Sequence, residues 1–254
     1  LSYSAGTDSG GNSSSNGGYS SSNSPDVNIE FQRAKKLSSK YNVLLLEPES
    51  SDTHINLDYP SVLCFQGIKL VNSFIKGKFY SRITKFQNES LLKKACAVNT
   101  VKPQKILDTT GGLGHDAFIL ALLGQKITVV EKNAGLCILL EEALNELPDL
   151  PYFNDAVSNI TIINSDSRNL LDSVRSFDVI YVDPMFNSNK RLKRTKQMEF
   201  LDLYLEDYDD PAIDFFKSDF KRLVIKKELR ASASIKDSSA ISFKGSSIRY
   251  DVYI

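Results

Sequence analysis

From residue 105 to the end of the chain, short apolar runs alternate with longer segments whose apolar residues recur at helical spacing. The short runs, which predict strands, lie at 105–108, 126–131, 160–164, 177–182 and 222–226. Helices are predicted at 115–123, 134–147, 168–174 and 197–216, and two further strands at 239–244 and 248–254. Strands that alternate with helices are typical of a mostly parallel, doubly wound α/β sheet, and the last two strands are typical of an antiparallel hairpin.

The chain before this region divides into two parts of different composition. Residues 1–26 are almost entirely Ser, Gly, Asn, Thr, Asp and Tyr. Such a segment buries too little apolar surface to offset its chain entropy, which predicts a disordered leader. Residues 27–88 contain a short amphipathic helix and short alternating strands, which predict a small α+β domain. Residues 89–254 then form the larger predicted α/β domain.

Charge, cysteine and histidine content limit the partners, the redox compartment and the metals that we expect for this protein. Lys plus Arg and Asp plus Glu both number 31, so the whole chain has no net attraction for nucleic acid, and an RNA or DNA partner needs a local basic patch. Cys64, Cys96 and Cys137 are scattered, which predicts buried thiols in a reducing compartment. His54 and His115 lack metal-site spacing, so we expect no metal.

Hydropathy adds an expectation about location. No apolar run approaches the length of a membrane span, and the first residues lack the pattern of a signal peptide. We therefore expect a cytosolic protein without a membrane partner.

A glycine-rich turn follows the first strand of the α/β region. Asp108 ends that strand, and Gly111, Gly112 and Gly114 come directly after it. Glycines tolerate positive φ and let a ligand approach the backbone without meeting a Cβ. In a doubly wound sheet, ligands bind beyond the carboxyl ends of the strands. The turn is therefore a candidate cofactor site, although a purely structural turn has the same composition.

Two further acids end the next two predicted strands. Glu131 lies about 20 residues after the turn, where a carboxylate can accept hydrogen bonds from ribose hydroxyls. Asp166 follows the third strand, where it can meet an adenine amino group. Each acid alone is typical of a helix cap or a solvated charge, but three acids at successive strand ends favour a nucleoside site.

Two classes of cofactor contain such a nucleoside. A dinucleotide turn has the pattern G-x-G-x-x-G, and its helix amides face a pyrophosphate. Here the order is Gly-Gly-Leu-Gly-His-Asp, which places Asp116 at the start of the helix. Negative charge there disfavours a pyrophosphate but suits the cationic methionine portion of S-adenosylmethionine. The sequence therefore favours S-adenosylmethionine over a nicotinamide dinucleotide.

An Asp-Pro-Met-Phe segment follows the fourth strand. Methylation of an amino group needs acceptors for its N–H groups, so that the nitrogen lone pair faces the methyl group. The Asp183 carboxylate and the Pro184 carbonyl are candidate acceptors, and Phe186 can stack on a base. The transfer then relies mainly on in-line positioning, so we predict these three residues as catalytic. A strand-ending Asp-Pro turn with a core phenylalanine is the alternative.

Basic residues surround this segment in the sequence. Placed beside a base-binding tip they can contact phosphates, although a charge run is also typical of a solvated face. The candidate RNA-binding residues are Lys190, Arg191, Lys193, Arg194, Lys226 and Lys227.

Several segments together resemble one family of proteins. They are Asp-Thr-Thr-Gly-Gly-Leu-Gly-His-Asp-Ala-Phe (108–118), Val-Glu-Lys-Asn (130–133), Val-Ile-Tyr-Val-Asp-Pro-Met-Phe (179–186), Val-Ile-Lys-Lys (224–227) and the closing stretch 244–253. This set resembles RsmJ, a family of bacterial methyltransferases that modify N2 of a guanine in small-subunit (16S) ribosomal RNA. The resemblance implies a Rossmann-like S-adenosylmethionine-dependent domain beside a small α+β N-terminal domain, with 16S ribosomal RNA or the small subunit as partner.

The resemblance also implies which residues contact the cofactor. Added to Asp108 and the three glycines, they are His115, Asp116, Glu131, Lys132, Asp166, Ser167 and Asp183. The family commonly has arginine in place of His115 and a glycine-rich basic run in place of 85–89. Two other functions stay open: amino methylation of adenine or cytosine in DNA or another RNA, and nucleic-acid binding without turnover.

Overall fold

The computed structural model describes residues 25–45, 53–57, 60–184, 196–205, 210–235 and 239–254. The chain divides into two compact units, one ending at Val71 and the other beginning at Asn72. Residues 72–88, which the sequence pattern grouped with the N-terminal region, therefore belong to the larger unit. The predicted disordered leader lies outside the described residues, apart from its last two positions.

Within its described residues, the smaller unit contains one helix and a three-stranded antiparallel sheet. Its elements are α1 (Pro25–Tyr41), β1 (Thr53–Asn56), β2 (Val62–Phe65) and β3 (Ile68–Val71), and the strand order is β1-β2-β3. Gln66 and Gly67 join β2 to β3, both at positive φ, as the tightest hairpin turns require. The predicted helix and strands of this region are thus present.

The larger unit contains the remaining helices and strands. In chain order they are α2 (Gly77–Ile83), α3 (Ser90–Ala95), β4 (Lys105–Asp108), α4 (His115–Leu122), β5 (Lys126–Glu131), α5 (Ala134–Asn145), α6 (Pro151–Ser158), β6 (Ile160–Asn164), β7 (Val179–Val182), α7 (Lys196–Tyr204), α8 (Ala212–Phe216), β8 (Leu223–Glu228), β9 (Ile241–Lys244) and β10 (Ile248–Tyr253). Two segments, Phe86–Asn88 and Ser167–Ser176, form 3₁₀ helix.

The seven strands of this unit form one sheet in the order β6-β5-β4-β7-β8-β10-β9. Strands β4 to β8 pair in parallel, whereas β10 pairs antiparallel with both β8 and β9. The predicted Rossmann-like sheet with its closing antiparallel hairpin is confirmed. The chain order reverses between β4 and β7, and such a switch point leaves a crevice at the carboxyl ends of these strands.

The central strands bury both of their faces. In β4, Ile106 belongs to a core cluster with Phe74 and Phe118, whereas Leu107 belongs to a second cluster with Ile180. Successive residues of a strand point to opposite faces, so the two clusters lie on the two sides of the sheet. Apolar packing on both faces stabilises a parallel sheet. Here it also holds in place the strand ends that form the candidate site.

Three predicted helices differ from the structure. The predicted helix 134–147 ends at Asn145, and a separate α6 begins at Pro151, since proline suits the first turn of a helix. The predicted helix 168–174 is 3₁₀ helix. The predicted helix 197–216 is two helices, α7 and α8. Among the helices that the structure describes, none is long and apolar enough to cross a membrane.

Candidate active site

The turn between β4 and α4 lies directly against the end of β5. The Gly111 amide donates to the Val130 carbonyl at 3.0 Å, and a Cβ on Gly111 would meet Val129 Cγ1 at 2.4 Å. Gly114 has φ +73°, and a Cβ there would meet Leu140 Cδ1 at 2.3 Å. Only glycine fits both positions. The turn is therefore rich in glycine because its backbone packs too closely against neighbouring side chains to leave room for a Cβ.

Glu131, at the end of β5, fixes this turn from the other side. Its Oε2 accepts from the Gly112 amide and its Oε1 from the Asn133 amide, both at 2.7 Å. Burial raises the pKa of Glu131, and the backbone hydrogen bonds oppose that rise. Each carboxylate oxygen can accept a second hydrogen bond. Glu131 therefore holds the turn and keeps acceptor capacity for a ligand.

Two threonines join the tip of β4 to the tip of β7. Thr109 donates its amide and its hydroxyl to the Tyr181 carbonyl, at 3.0 and 3.1 Å. The Asp183 amide donates to Thr110 Oγ1 at 2.7 Å. The glycine turn and the predicted acceptor segment are thus hydrogen-bonded neighbours.

Asp108 is buried beneath these threonines. Its Oδ1 accepts from the Thr110 amide at 3.1 Å. Burial, together with the nearby charges of Asp183, Asp116 and Glu131, raises the pKa of Asp108 to about 8. An ionised carboxylate here is unfavourable without a cation, so the surroundings of Asp108 favour a positively charged ligand group.

An ion-pair network connects Asp116 with Asp183. Lys226 Nζ donates to Asp116 Oδ2 at 2.8 Å and to Asp183 Oδ2 at 2.7 Å. Arg82 Nη1 donates to Asp116 Oδ1 at 2.6 Å, and the Tyr181 hydroxyl donates to Asp116 Oδ2. These residues come from α4, β8, β7 and α2, so the network joins four elements at the carboxyl edge of the sheet.

Burial and charge act in opposite directions in this network. Burial alone would raise the pKa of Asp116, but Lys226 and Arg82 outweigh it and hold that pKa well below its usual range. Burial would lower the pKa of Lys226, but Asp116 and Asp183 raise it above its usual value. For Asp183 burial dominates and raises the pKa, although Lys226 opposes the rise. Asp116 is thus ionised at neutral pH, and Lys226 is charged.

His115 packs against aromatic rings beside the ion-pair network. It stacks on Phe79 with ring centroids 4.0 Å apart, and its Nε2 lies 3.3 Å from Asn72 Oδ1. Burial lowers the pKa of His115 to about 4, so the ring is neutral at physiological pH. Its side chain orders the start of α4 beside the turn, and its cofactor contact stays a prediction.

Three of the predicted cofactor contacts, Lys132, Asp166 and Ser167, follow β5 and β6. Asp166 caps the 3₁₀ segment by accepting from the Arg168 amide at 3.0 Å, and it also receives Arg168 Nη1 at 3.3 Å. Ser167 is buried and Lys132 is exposed. These three residues follow the strands next to the glycine turn, and their cofactor contacts stay predictions.

The predicted RNA-binding residues divide into two groups. Lys226 lies in the network described above, and the buried Lys227 has its ammonium 3.8 Å from Asp210 Oδ2. Both ammonium groups therefore face carboxylates, and their contact with RNA stays a prediction. The other candidates lie outside the described residues, together with the predicted catalytic Phe186: Lys190, Arg191, Lys193 and Arg194. Pro184 is described and buried.

Three site residues were missed from the sequence. Arg82 lies in the basic stretch 76–85, where nothing local distinguishes it from its neighbours. Tyr181 is one aromatic in an apolar strand, and Thr110 is one of two adjacent threonines. The hydroxyls of Tyr181 and Thr110, placed next to predicted site acids, are the signal that could have found them. Among the described residues, no group of three His, Cys, Asp or Glu is placed to hold a metal.

We expect Gly114→Ala to destabilise the protein more than Gly124→Ala. Both glycines have positive φ, which costs an alanine about 1–2 kcal/mol. A Cβ at Gly124 meets nothing within 4 Å, whereas one at Gly114 meets Leu140. The clash should add about 1–3 kcal/mol, measured by urea unfolding. Equal losses in the two variants would contradict the close approach of the turn to α5.

Asp108→Asn should stabilise the protein at pH 8. The folded-state pKa of Asp108 lies above its usual value, so the folded protein loses stability as rising pH ionises this group. Asparagine removes that loss and can still accept from the Thr110 amide, for a gain of roughly 2–4 kcal/mol that shrinks toward pH 4. Thermal unfolding across this pH range measures it, and a variant less stable than wild type at pH 8 would refute the assignment.

Several known proteins are similar to this chain. A family model for SAM-dependent methyltransferases matches residues 49–254. Ribosomal RNA small subunit methyltransferase J of Francisella tularensis subsp. novicida is 33% identical over 157 residues, which are 58% of this chain and 64% of that protein. The match thus spans less than two thirds of that relative's length. The protein of the same name from Francisella philomiragia is 29% identical over 199 residues, 75% of this chain and 82% of that protein.

A solved structure has the same fold. The SAM-dependent methyltransferase NGO1261 from Neisseria gonorrhoeae superposes with a TM-score of 0.66 at 19% identity, covering 88% of this chain and 91% of its own. The matched family names the cofactor as S-adenosylmethionine (SAM), which confirms that prediction. The chain belongs to the family of SAM-dependent methyltransferases.

Proposed function

We propose that this protein transfers a methyl group from S-adenosylmethionine to the N2 amino group of a guanine in small-subunit (16S) ribosomal RNA. The observation that carries the proposal is the hydrogen bond between the Asp183 amide and Thr110 Oγ1 at 2.7 Å. It holds the acceptor segment next to the glycine turn of the donor site. The names of the two Francisella relatives support ribosomal RNA as the substrate.

The donor side fits the cofactor in charge and in shape. The cofactor supplies a methyl group on a positively charged sulfur. Asp108 and Glu131 end the adjacent strands β4 and β5, and Asp116 lies in the first turn of α4. The charges of Asp116, Glu131 and Asp183 oppose ionisation of Asp108, and a cation beside Asp108 would relieve that effect. A Cβ on Gly112 would meet only the Thr110 carbonyl, at 3.7 Å, so the turn has room above it.

The acceptor side supplies oxygens for an amino group. The Asp183 carboxylate and the Pro184 carbonyl follow the last residue of β7, and we assign them the two N–H groups of N2. With both hydrogens held, the nitrogen lone pair faces the methyl group. The new C–N bond forms as the C–S bond breaks, which leaves the sulfur neutral. One proton then leaves N2, and the raised pKa of Asp183 suits that group to receive it.

The RNA contacts of the proposal extend the sequence prediction. The basic segment 190–194 comes shortly after Asp183 in the chain, and phosphates flanking the target guanine must pass close to Asp183. We therefore keep this segment as the proposed phosphate contact. A cytosolic location, where ribosomal RNA is found, belongs to the same proposal.

Nucleoside analysis tests the proposed target. The protein is incubated with methyl-labelled cofactor and with small subunits or 16S ribosomal RNA that lack native methylation. Mass spectrometry of the digested RNA should find N2-methylguanosine. Labelled N6-methyladenosine or N4-methylcytidine instead would show that the base is wrong, and no labelled nucleoside on either RNA would overturn the function.

Asp183→Ala should lower the rate of methylation by about 10²–10⁴-fold, because the acceptor for N2 is lost. Asp178→Ala is the matched control, since Asp178 lies just before the other end of β7 and pairs with Lys221 on the surface. That control should keep the wild-type rate. Unfolding curves should show that both variants fold. Full activity of Asp183→Ala would sink the acceptor role.

A further inference from the structure

Lys226 faces the site, not solvent. It lies on β8, one residue beyond Ile225, which pairs with Val182 of β7. Its side chain is only 21% exposed. The ammonium binds Asp183 Oδ2 at 2.7 Å and Asp116 Oδ2 at 2.8 Å, so it bridges two carboxylates. A lysine that contacts phosphate would extend toward the RNA instead.

The partner of this ammonium is itself fixed. Asp116 accepts from Arg82 and from the Tyr181 hydroxyl as well as from Lys226. Arg82 is held by Glu89, which accepts from its Nε at 2.7 Å and from its Nη2 at 3.0 Å. The position of the Lys226 ammonium is therefore set from α2, α4 and β7 together.

This arrangement makes the two oxygens of Asp183 unequal. Oδ2 accepts from Lys226, whereas no described residue donates to Oδ1. The Asp183 backbone is held separately through Thr110. The carboxylate can therefore present Oδ1 to an incoming donor without losing its own support.

We propose that Lys226 is a positioning residue for methyl transfer: it holds Oδ2 of Asp183 so that Oδ1 accepts the N–H of the target amino group. The inference rests on the proposed function, because it assigns the amino group of a base as the donor to Oδ1. It also replaces the phosphate contact predicted for Lys226 by a role in the rate of the reaction.

Electrostatics give Lys226 a second effect on the same carboxylate. Its charge lowers the pKa of Asp183, against the effect of burial. The described titratable groups facing Asp183 are Lys226 and Lys227 of β8, Asp116 of α4, Arg82 of α2, Asp108 of β4 and Tyr181 of β7. The three cations favour its ionised form, and of these Lys226 is in contact with it. Without Lys226, Asp183 should protonate at higher pH.

Lys226→Met tests the proposal, with Lys221→Met as the matched control. Lys221 precedes β8, at the opposite edge of the sheet, and its ammonium pairs with Asp178. Lys226→Met should lower the single-turnover rate by about 100-fold, as small misplacements of reacting groups do. The acidic limb of its pH–rate profile should move to higher pH. The control should match wild type in both measurements.

Binding measurements separate positioning from phosphate contact and from misfolding. Calorimetry should show cofactor affinity at or above wild type in Lys226→Met, because a cation near a cationic ligand has been removed. Affinity for 16S ribosomal RNA and its dependence on salt should not change. A phosphate contact would instead lower the slope of log affinity against log salt by about 0.7–0.9 with the rate kept, which would overturn the proposal.

A conservative variant and a direct titration complete the test. Lys226→Arg keeps the charge, so it should restore the position of the acidic limb even where its rate is reduced. Carbon-13 labelling of aspartate should show a raised Asp183 pKa in Lys226→Met, whatever the RNA substrate. An unchanged pKa would refute the inference. Failure of wild type to methylate RNA, with the pKa shift present, would refute only the proposed function.

Discussion

The ion pairs of Lys226 with Asp116 and Asp183 are the contacts on which the site depends. They join α4, the helix that follows the glycine turn, to the segment after β7 that carries the proposed acceptor Asp183. Without Lys226, Asp116 would still pair with Arg82 and accept from the Tyr181 hydroxyl, whereas Asp183, whose side chain is 32% exposed, would lose this ion pair. The relative position of the proposed donor and acceptor sites therefore depends on this charge pairing, in addition to the parallel sheet that brings their strand tips together.

The candidate site contains an acid that none of its described cations contacts. Asp108, whose pKa burial raises to about 8, has no cation among its hydrogen-bond partners in the described residues. Burial therefore disfavours the ionised form of Asp108 in the folded protein, and a cationic ligand beside it would offset that penalty. A sulfonium fits that requirement, and a pyrophosphate does not. Stability and the proposed function thus oppose each other at Asp108, whereas at Asp116 they agree because Arg82 and Lys226 are both present.

The sequence predicted the sheet and most of its tips because those depend on local pattern. The alternation of strands and helices gave the Rossmann-like order, and Asp108, Glu131 and Asp183 end strands whose neighbours follow from that order. Arg82 could not be found in the same way, because it reaches Asp116 across 34 residues from a helix outside the alternation. The sequence pattern predicts an RNA contact for Lys226, since a strand position does not show which partner an ammonium meets.

A crystal structure of the complex with S-adenosylhomocysteine would show whether the proposed donor and acceptor sites meet at the tips of β4 and β7. We expect the ribose hydroxyls at Glu131 and the sulfur between the glycine turn and Asp183. Binding at the opposite edge of the sheet, in the open groove beside Lys105 and Lys126, would show that the cofactor site lies elsewhere.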